Sequence, residues 1–214
     1  MSIAIALADL EECILAPDGR MTDDDGSIAA EAMQKSAAIS PECVFAATGE
    51  MEDVKLLIEA LGASLDGVHP VDAFIELERY ADGGIELEVA EKKIRHHFKA
   101  EGARPQCCAL LLGVVQGRPR IAIWTPTMHR SESDGPCAMA IGKTPSLNGK
   151  DDPFFWQELA NPHLGVRNAE ERLVAGVRHA GNLDPEGTIG WNVCTRSMTR
   201  SWEVEWHLGS LTAA

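Results

Sequence analysis

The order of the apolar segments constrains this chain more than any other feature. Short, nearly continuous apolar runs come first, three helix-spaced segments follow, and strand-like runs then return around two further helical stretches. Apolar runs of that length, bounded by turn residues, suit strands covered on both faces, whereas apolar residues three and four apart suit helices. Residues 2–8, 11–16, 32–39 and 43–47 read as strands. Pro17-Asp18-Gly19 breaks the second of them, because proline fixes φ and glycine admits positive φ. Residues 21–27 read as a polar loop. Its three consecutive carboxylates lack the ligand spacing of an EF-hand, so a solvated turn is expected there.

Residues 50–61 carry Val54, Leu57, Ile58 and Leu61 at helical spacing, and Glu50, Glu52 and Asp53 suit the positive end of that helix. Gly62 stops it. Residues 71–80 and 85–100 are helical in pattern, separated by Asp82-Gly83-Gly84. Residues 106–115 and 119–124 read as a hairpin around Gln116-Gly117-Arg118. A strand at 137–141, a polar loop at 144–152, a short helix at 154–159 and an amphipathic helix at 168–180 follow. Residues 188–195 and 202–206 read as a closing hairpin. That order suits two sheets held between helical layers and not an alternating doubly wound fold.

Length and charge narrow the function. A chain of 214 residues suits one domain, residues 1–214. With 33 acidic against 19 basic residues the net charge is −14, which repels phosphate backbones and anionic lipid, so neither nucleic acid nor membrane is an expected partner. No apolar run approaches the roughly 18 residues of a spanning helix. The first residues lack a basic stretch and meet Asp9 early, which suits a cytoplasmic chain.

The six cysteines show neither CxxC nor paired Cys/His spacing and read as reduced thiols, so no metal or cofactor is expected. His96-His97 reads as a solvated or interface pair, and Trp124, Trp156, Trp191, Trp202 and Trp206 as core or subunit contacts. The phosphate-binding glycine motifs and the GxSxG elbow are absent.

The first 60 residues resemble the proteasome β-type family of N-terminal-nucleophile hydrolases. Ile14-Leu15-Ala16-Pro17-Asp18-Gly19-Arg20 is similar to the family's "LAADxR", and Lys35 lies in the next strand segment, where the family keeps a lysine. Ala46-Ala47-Thr48-Gly49-Glu50-Met51-Glu52-Asp53 resembles the family's "aGxxaD" stretch before its first helix. More loosely, residues 110–124 resemble its central hairpin, Ala138-Met139-Ala140-Ile141-Gly142 its "aiGSG" strand, and residues 168–184 with Gly187 its last long helix and turn.

The resemblance implies an α+β fold, a four-layer αββα sandwich. It also implies a hydrolase of peptides or a small amide, acting without a cofactor and assembling as a homo-oligomer, of which a ring is one form. Ser2 then stands at the nucleophile position once Met1 is removed. Its α-amine, with an ordinary pKa of about 7.7–8.0, would serve as the general base. Lys35 would lower the pKa of the hydroxyl and the amine, Asp18 would hold Lys35 charged, and the Gly49 N–H would receive the oxyanion. Asp184 resembles the family's supporting aspartate near the amine. The chain departs from the family in carrying Ser2 where threonine is usual, and Gly142-Lys143-Thr144 in place of Gly-Ser-Gly. A different class of reading stays open: a catalytically silent protein of the same fold that assembles or binds a partner.

Overall fold

Antiparallel pairing dominates the structure, a computed structural model. It describes residues 2–8, 12–23, 25–82, 84–99, 105–133, 137–147, 150–160, 168–190, 192–199 and 207–212. In chain order, β1 (Ile3–Ala8), β2 (Glu12–Pro17), β3 (Met21–Thr22), β4 (Ile28–Ala30), β5 (Ser36–Ser40) and β6 (Cys43–Gly49) come first. Next are α1 (Met51–Leu61), a 3-10 turn over Pro70–Asp72, α2 (Ala73–Tyr80) and α3 (Leu87–Lys99). Strands β7 (Cys107–Val115), β8 (Arg118–Trp124), β9 (His129–Ser133), β10 (Cys137–Gly142), β11 (Ser146–Leu147) and β12 (Lys150–Asp151) follow. Helices α4 (Pro153–Ala160) and α5 (Ala169–Asn182) precede β13 (Asn192–Thr199) and β14 (His207–Thr212).

The strands form two five-stranded sheets, β10-β1-β2-β13-β14 and β5-β6-β7-β8-β9, and the two short ribbons β3-β4 and β11-β12. The fold is mixed α+β. Strands β1 and β2 are apolar on both sides because both of their faces are covered. Ala4, Ala6 and Leu15 join Val44, Leu110 and Leu112 of the other sheet in one core. Ile3, Ile5 and Ile14 join Phe155, Leu173 and Val177 of α4 and α5 in a second. Phe45 and Leu111 join Leu57, Phe74 and Ile94 of α1, α2 and α3 in a third. Gly176 lets α5 close on α4, since a Cβ there would stand 2.7 Å from the Leu159 side chain.

Several expectations need correction. Neither the 21–27 nor the 144–152 segment is wholly loop: β3 of the first pairs with β4, and β11 pairs with β12 within the second. Strand β9 is polar throughout and rides on the edge of β8, so no apolar pattern announces it. The first strand of the closing hairpin is 192–199 and not 188–195, because Asp184 folds residues 184–189 into a turn. The expected 202–206 strand lies outside the described residues. Lys35 precedes β5 instead of lying within a 32–39 strand.

Candidate active site around Ser2 and Lys35

Asp18 follows the last residue of β2 and is fully buried, which forces its carboxylate to find donors. Its backbone N–H donates to the Ile3 carbonyl at 2.9 Å, while its Oδ1 accepts the Ile3 N–H at 2.8 Å. Oδ2 accepts the N–H groups of Arg20 and Gly190, both at 3.1 Å. Three strands or strand ends, β1, β2 and the lead into β13, are thereby tied to one side chain.

Lys35 reaches the same point from the other sheet, and its side chain is 5% exposed. Its Nζ lies 3.6 Å from Asp18 Oδ2 and 2.5 Å from Ser2 Oγ, and it also donates to the Arg20 carbonyl. The segment that carries it is braced on both sides. Gln34 Nε2 donates to the Ser36 carbonyl and to Glu78 of α2, and Glu78 receives the Arg196 guanidinium from β13 at 2.8 and 2.5 Å. Burial pushes the Lys35 pKa down. The Asp18 carboxylate opposes that shift, while the nearby Arg20 charge adds to it.

Ser2 stands just ahead of β1. Its carbonyl accepts the Lys143 N–H at 2.9 Å, and its hydroxyl lies 3.4 Å from the Arg20 carbonyl. The Arg20 side chain fixes that carbonyl's neighbourhood by pairing with Glu31 at 3.0 and 3.2 Å and donating to the Gly187 carbonyl. Ser2, Asp18 and Lys35 therefore meet in direct contact across the two sheets.

Gly49 and Asp184 contribute differently. Gly49 ends β6 at φ +128°, and a Cβ there would stand 2.3 Å from the Gln106 carbonyl oxygen. Its lack of a side chain is thus demanded by the approach of the segment before β7, whatever else it does. It lines the same cavity as Ser2 and Lys35. Among the described residues Asp184 bonds not to Ser2, Asp18 or Lys35 but accepts from Lys143 Nζ at 2.5 Å, from Thr188 N–H and Oγ1–H, and from Ile189 N–H. Burial alone would raise its pKa, yet the Lys143 and Thr188 bonds outweigh that and hold it at about 2. Its influence on the centre runs through the turn that delivers the Gly190 N–H to Asp18, and through Lys143, whose backbone holds Ser2.

The cavity measures about 770 Å³. Met21, Ala47, Val54 and Phe74 give it apolar wall, while Asp23, Asp25, Glu50 and Glu52 add four carboxylates. Sequence reasoning missed the Arg20 carbonyl, the Gly190 amide and the Glu78–Arg196 brace. The run Asp23-Asp24-Asp25 and the acids Glu50 and Glu52 are visible in the sequence, but nothing there shows that the two groups line one cavity. Among the described residues no group of three or more His, Cys, Asp or Glu is placed to hold a metal ion. Trp124 is buried and stacks on His129 with ring centres 4.9 Å apart, while Trp191, Trp202 and Trp206 lie outside the described residues. No family model matches the chain, and no characterised protein matches it in sequence.

Proposed function

We propose that this chain is an N-terminal-nucleophile hydrolase of the proteasome β type, with two sheets between two helical layers, that cleaves amide bonds in peptides or small amides. The observation that carries the reading is the buried Lys35 ammonium, 2.5 Å from Ser2 Oγ and 3.6 Å from Asp18. Removal of Met1 gives Ser2 a free α-amine. A fraction of that amine is neutral near neutral pH, and it takes the hydroxyl proton directly or through one water. Lys35 stabilises the developing alkoxide, and Asp18, itself held by three backbone N–H groups, fixes the lysine.

The Ser2 oxygen attacks the carbonyl, and the oxyanion takes a hydrogen bond from the Gly49 N–H. The amine proton then passes to the leaving nitrogen as the C–N bond breaks, leaving an ester on Ser2. Water, deprotonated by the same amine, hydrolyses that ester and restores the hydroxyl. No cofactor is needed.

One observation favours the silent-scaffold reading: Asp184 is already committed to the Lys143 ammonium, a cation where the family has a serine. Turnover of a fluorogenic peptide panel by the wild type, Ser2→Ala and Lys35→Ala distinguishes the two. Hydrolysis that disappears in both variants, with circular dichroism unchanged for Ser2→Ala, supports the hydrolase. Hydrolysis that survives Ser2→Ala refutes it.

A further inference from the structure

The acidic wall of the cavity has no role in the chemistry above, and two separate elements build it. Asp23 and Asp25 come from the connection between β3 and β4, whereas Glu50 and Glu52 come from the start of α1. The positive end of α1 accounts for two acids in its first turn, but it exerts nothing on the hairpin that faces the same space. Glu50 moreover occupies the N-cap position of α1 and makes no side-chain capping hydrogen bond, so local helix structure does not use its carboxylate. Hydrogen bonds from Ser27 lower the Asp25 pKa and keep it ionised. Lys35 is the one lysine or arginine among the described lining residues, and it is turned to Asp18, Ser2 and the Arg20 carbonyl.

A second feature of the cavity points to a ligand with a hydrogen-bonding group. Thr48 lines it, is 2% exposed, and its Oγ1 has no hydrogen-bond partner among the described residues. That oxygen lies beside Ser2: a Cβ built on Gly142 would stand 2.8 Å from it and 2.0 Å from the Ser2 carbonyl oxygen. A buried hydroxyl without a partner is costly unless a bound group supplies one.

Resting on the hydrolase reading, we infer that the cavity selects a cationic group, an arginine or lysine side chain or another primary amine, on the acyl side of the scissile amide. Glu52 lies 3.6 Å from Lys55 Nζ, while Asp23, Asp25 and Glu50 share one space without a lysine or arginine of the lining turned to them. An organic cation relieves their repulsion while its stem covers the apolar wall of Met21, Val54 and Phe74. The absence of a three-ligand metal cluster among the described residues favours an extended organic cation over a metal ion.

The test uses three peptides that differ only in carrying arginine, leucine or glutamate before the cleaved bond. Turnover is measured on the full chain, and binding by fluorescence polarisation on Ser2→Ala. The arginine peptide is expected to exceed leucine by about tenfold or more at low ionic strength, with glutamate weakest. The arginine advantage should shrink as salt screens the wall, and should fall several-fold in Asp25→Asn/Glu50→Gln. Asparagine keeps an acceptor for the Ser27 N–H, and Glu50 caps nothing, so the double variant is expected to fold. Equal binding and turnover of the arginine and leucine peptides, or no binding of the arginine peptide at all, overturns the inference. Tight, carboxylate-dependent binding of the arginine peptide without any turnover upholds the selection of a cation by the cavity and refutes the hydrolase reading, and with it the placement on the acyl side of a cleaved bond.

Discussion

Asp18→Asn probes the centre through stability as well as chemistry. The carboxylate accepts three backbone N–H groups with its two oxygens and faces the Lys35 ammonium. An amide keeps one acceptor. If that oxygen stays on Ile3, the new NH₂ points at the N–H groups of Arg20 and Gly190 and at Lys35. Two donors lose a partner and a buried cation loses its counter-charge. Removing one member of a buried pair costs about 3–5 kcal/mol. For a chain of this size that corresponds to a fall of about 6–20 °C in Tm.

Lys35→Met in the same background removes the stranded cation, so the double variant should lose at least about 1 kcal/mol less than the two single losses together. Urea unfolding followed by circular dichroism gives all four corners of this cycle. A cost below about 1 kcal/mol for Asp18→Asn, or strict additivity with Lys35→Met, would refute a buried, coupled Asp18–Lys35 pair.

Three further outcomes follow from the same geometry. Asp184 is held at about 2 against an ordinary 3.8. Because its pKa is lower folded than unfolded, its contribution of about 2 kcal/mol is present above pH 4 and lost between about pH 4 and 2. The stability gap between wild type and Asp184→Asn should close over that window, and a pH-independent gap would contradict it. Gly49→Ala places a Cβ 2.3 Å from a carbonyl oxygen at φ +128°, so a loss of at least about 3 kcal/mol in urea unfolding is expected, and a neutral effect would deny the close approach. Phe154, Leu56 and Ile28 leave large apolar side chains exposed, at 63%, 54% and 51%. We expect a homo-oligomer, and light scattering that returns 23.1 kDa at micromolar concentration would exclude it.

The legible parts of the fold were those where burial follows one element's own period. Val54, Leu57, Ile58 and Leu61 are all buried on α1, as their spacing required, and Gly62 ends the helix at φ +121°. The β7–β8 hairpin was readable because both strands are apolar around Gln116-Gly117, whose φ values are positive. Strand β9 was not, since an edge strand takes its hydrogen bonds from β8 and needs no apolar residue of its own.

The site divides in the same way. Asp18 and Lys35 could be named from the family resemblance, and the structure brings them together across two sheets. The Arg20 carbonyl and Gly190 N–H could not, because every residue carries those groups and only tertiary structure selects two of them. Arg196 and Glu78 are separated by 118 residues, and neither has a local pattern that points to the other.

The central claim is that Ser2 Oγ, activated by Lys35, forms an ester with substrate. Intact-mass spectrometry after brief incubation with an activated peptidyl ester, followed by sequencing of the N-terminal fragment, tests it most directly. The account predicts a chain that begins at Ser2 and carries one acyl group on that residue. The adduct should be missing in Ser2→Ala and at least about a hundredfold slower to form in Lys35→Met. A chain that retains Met1, or an acyl group carried on any other residue, would contradict it.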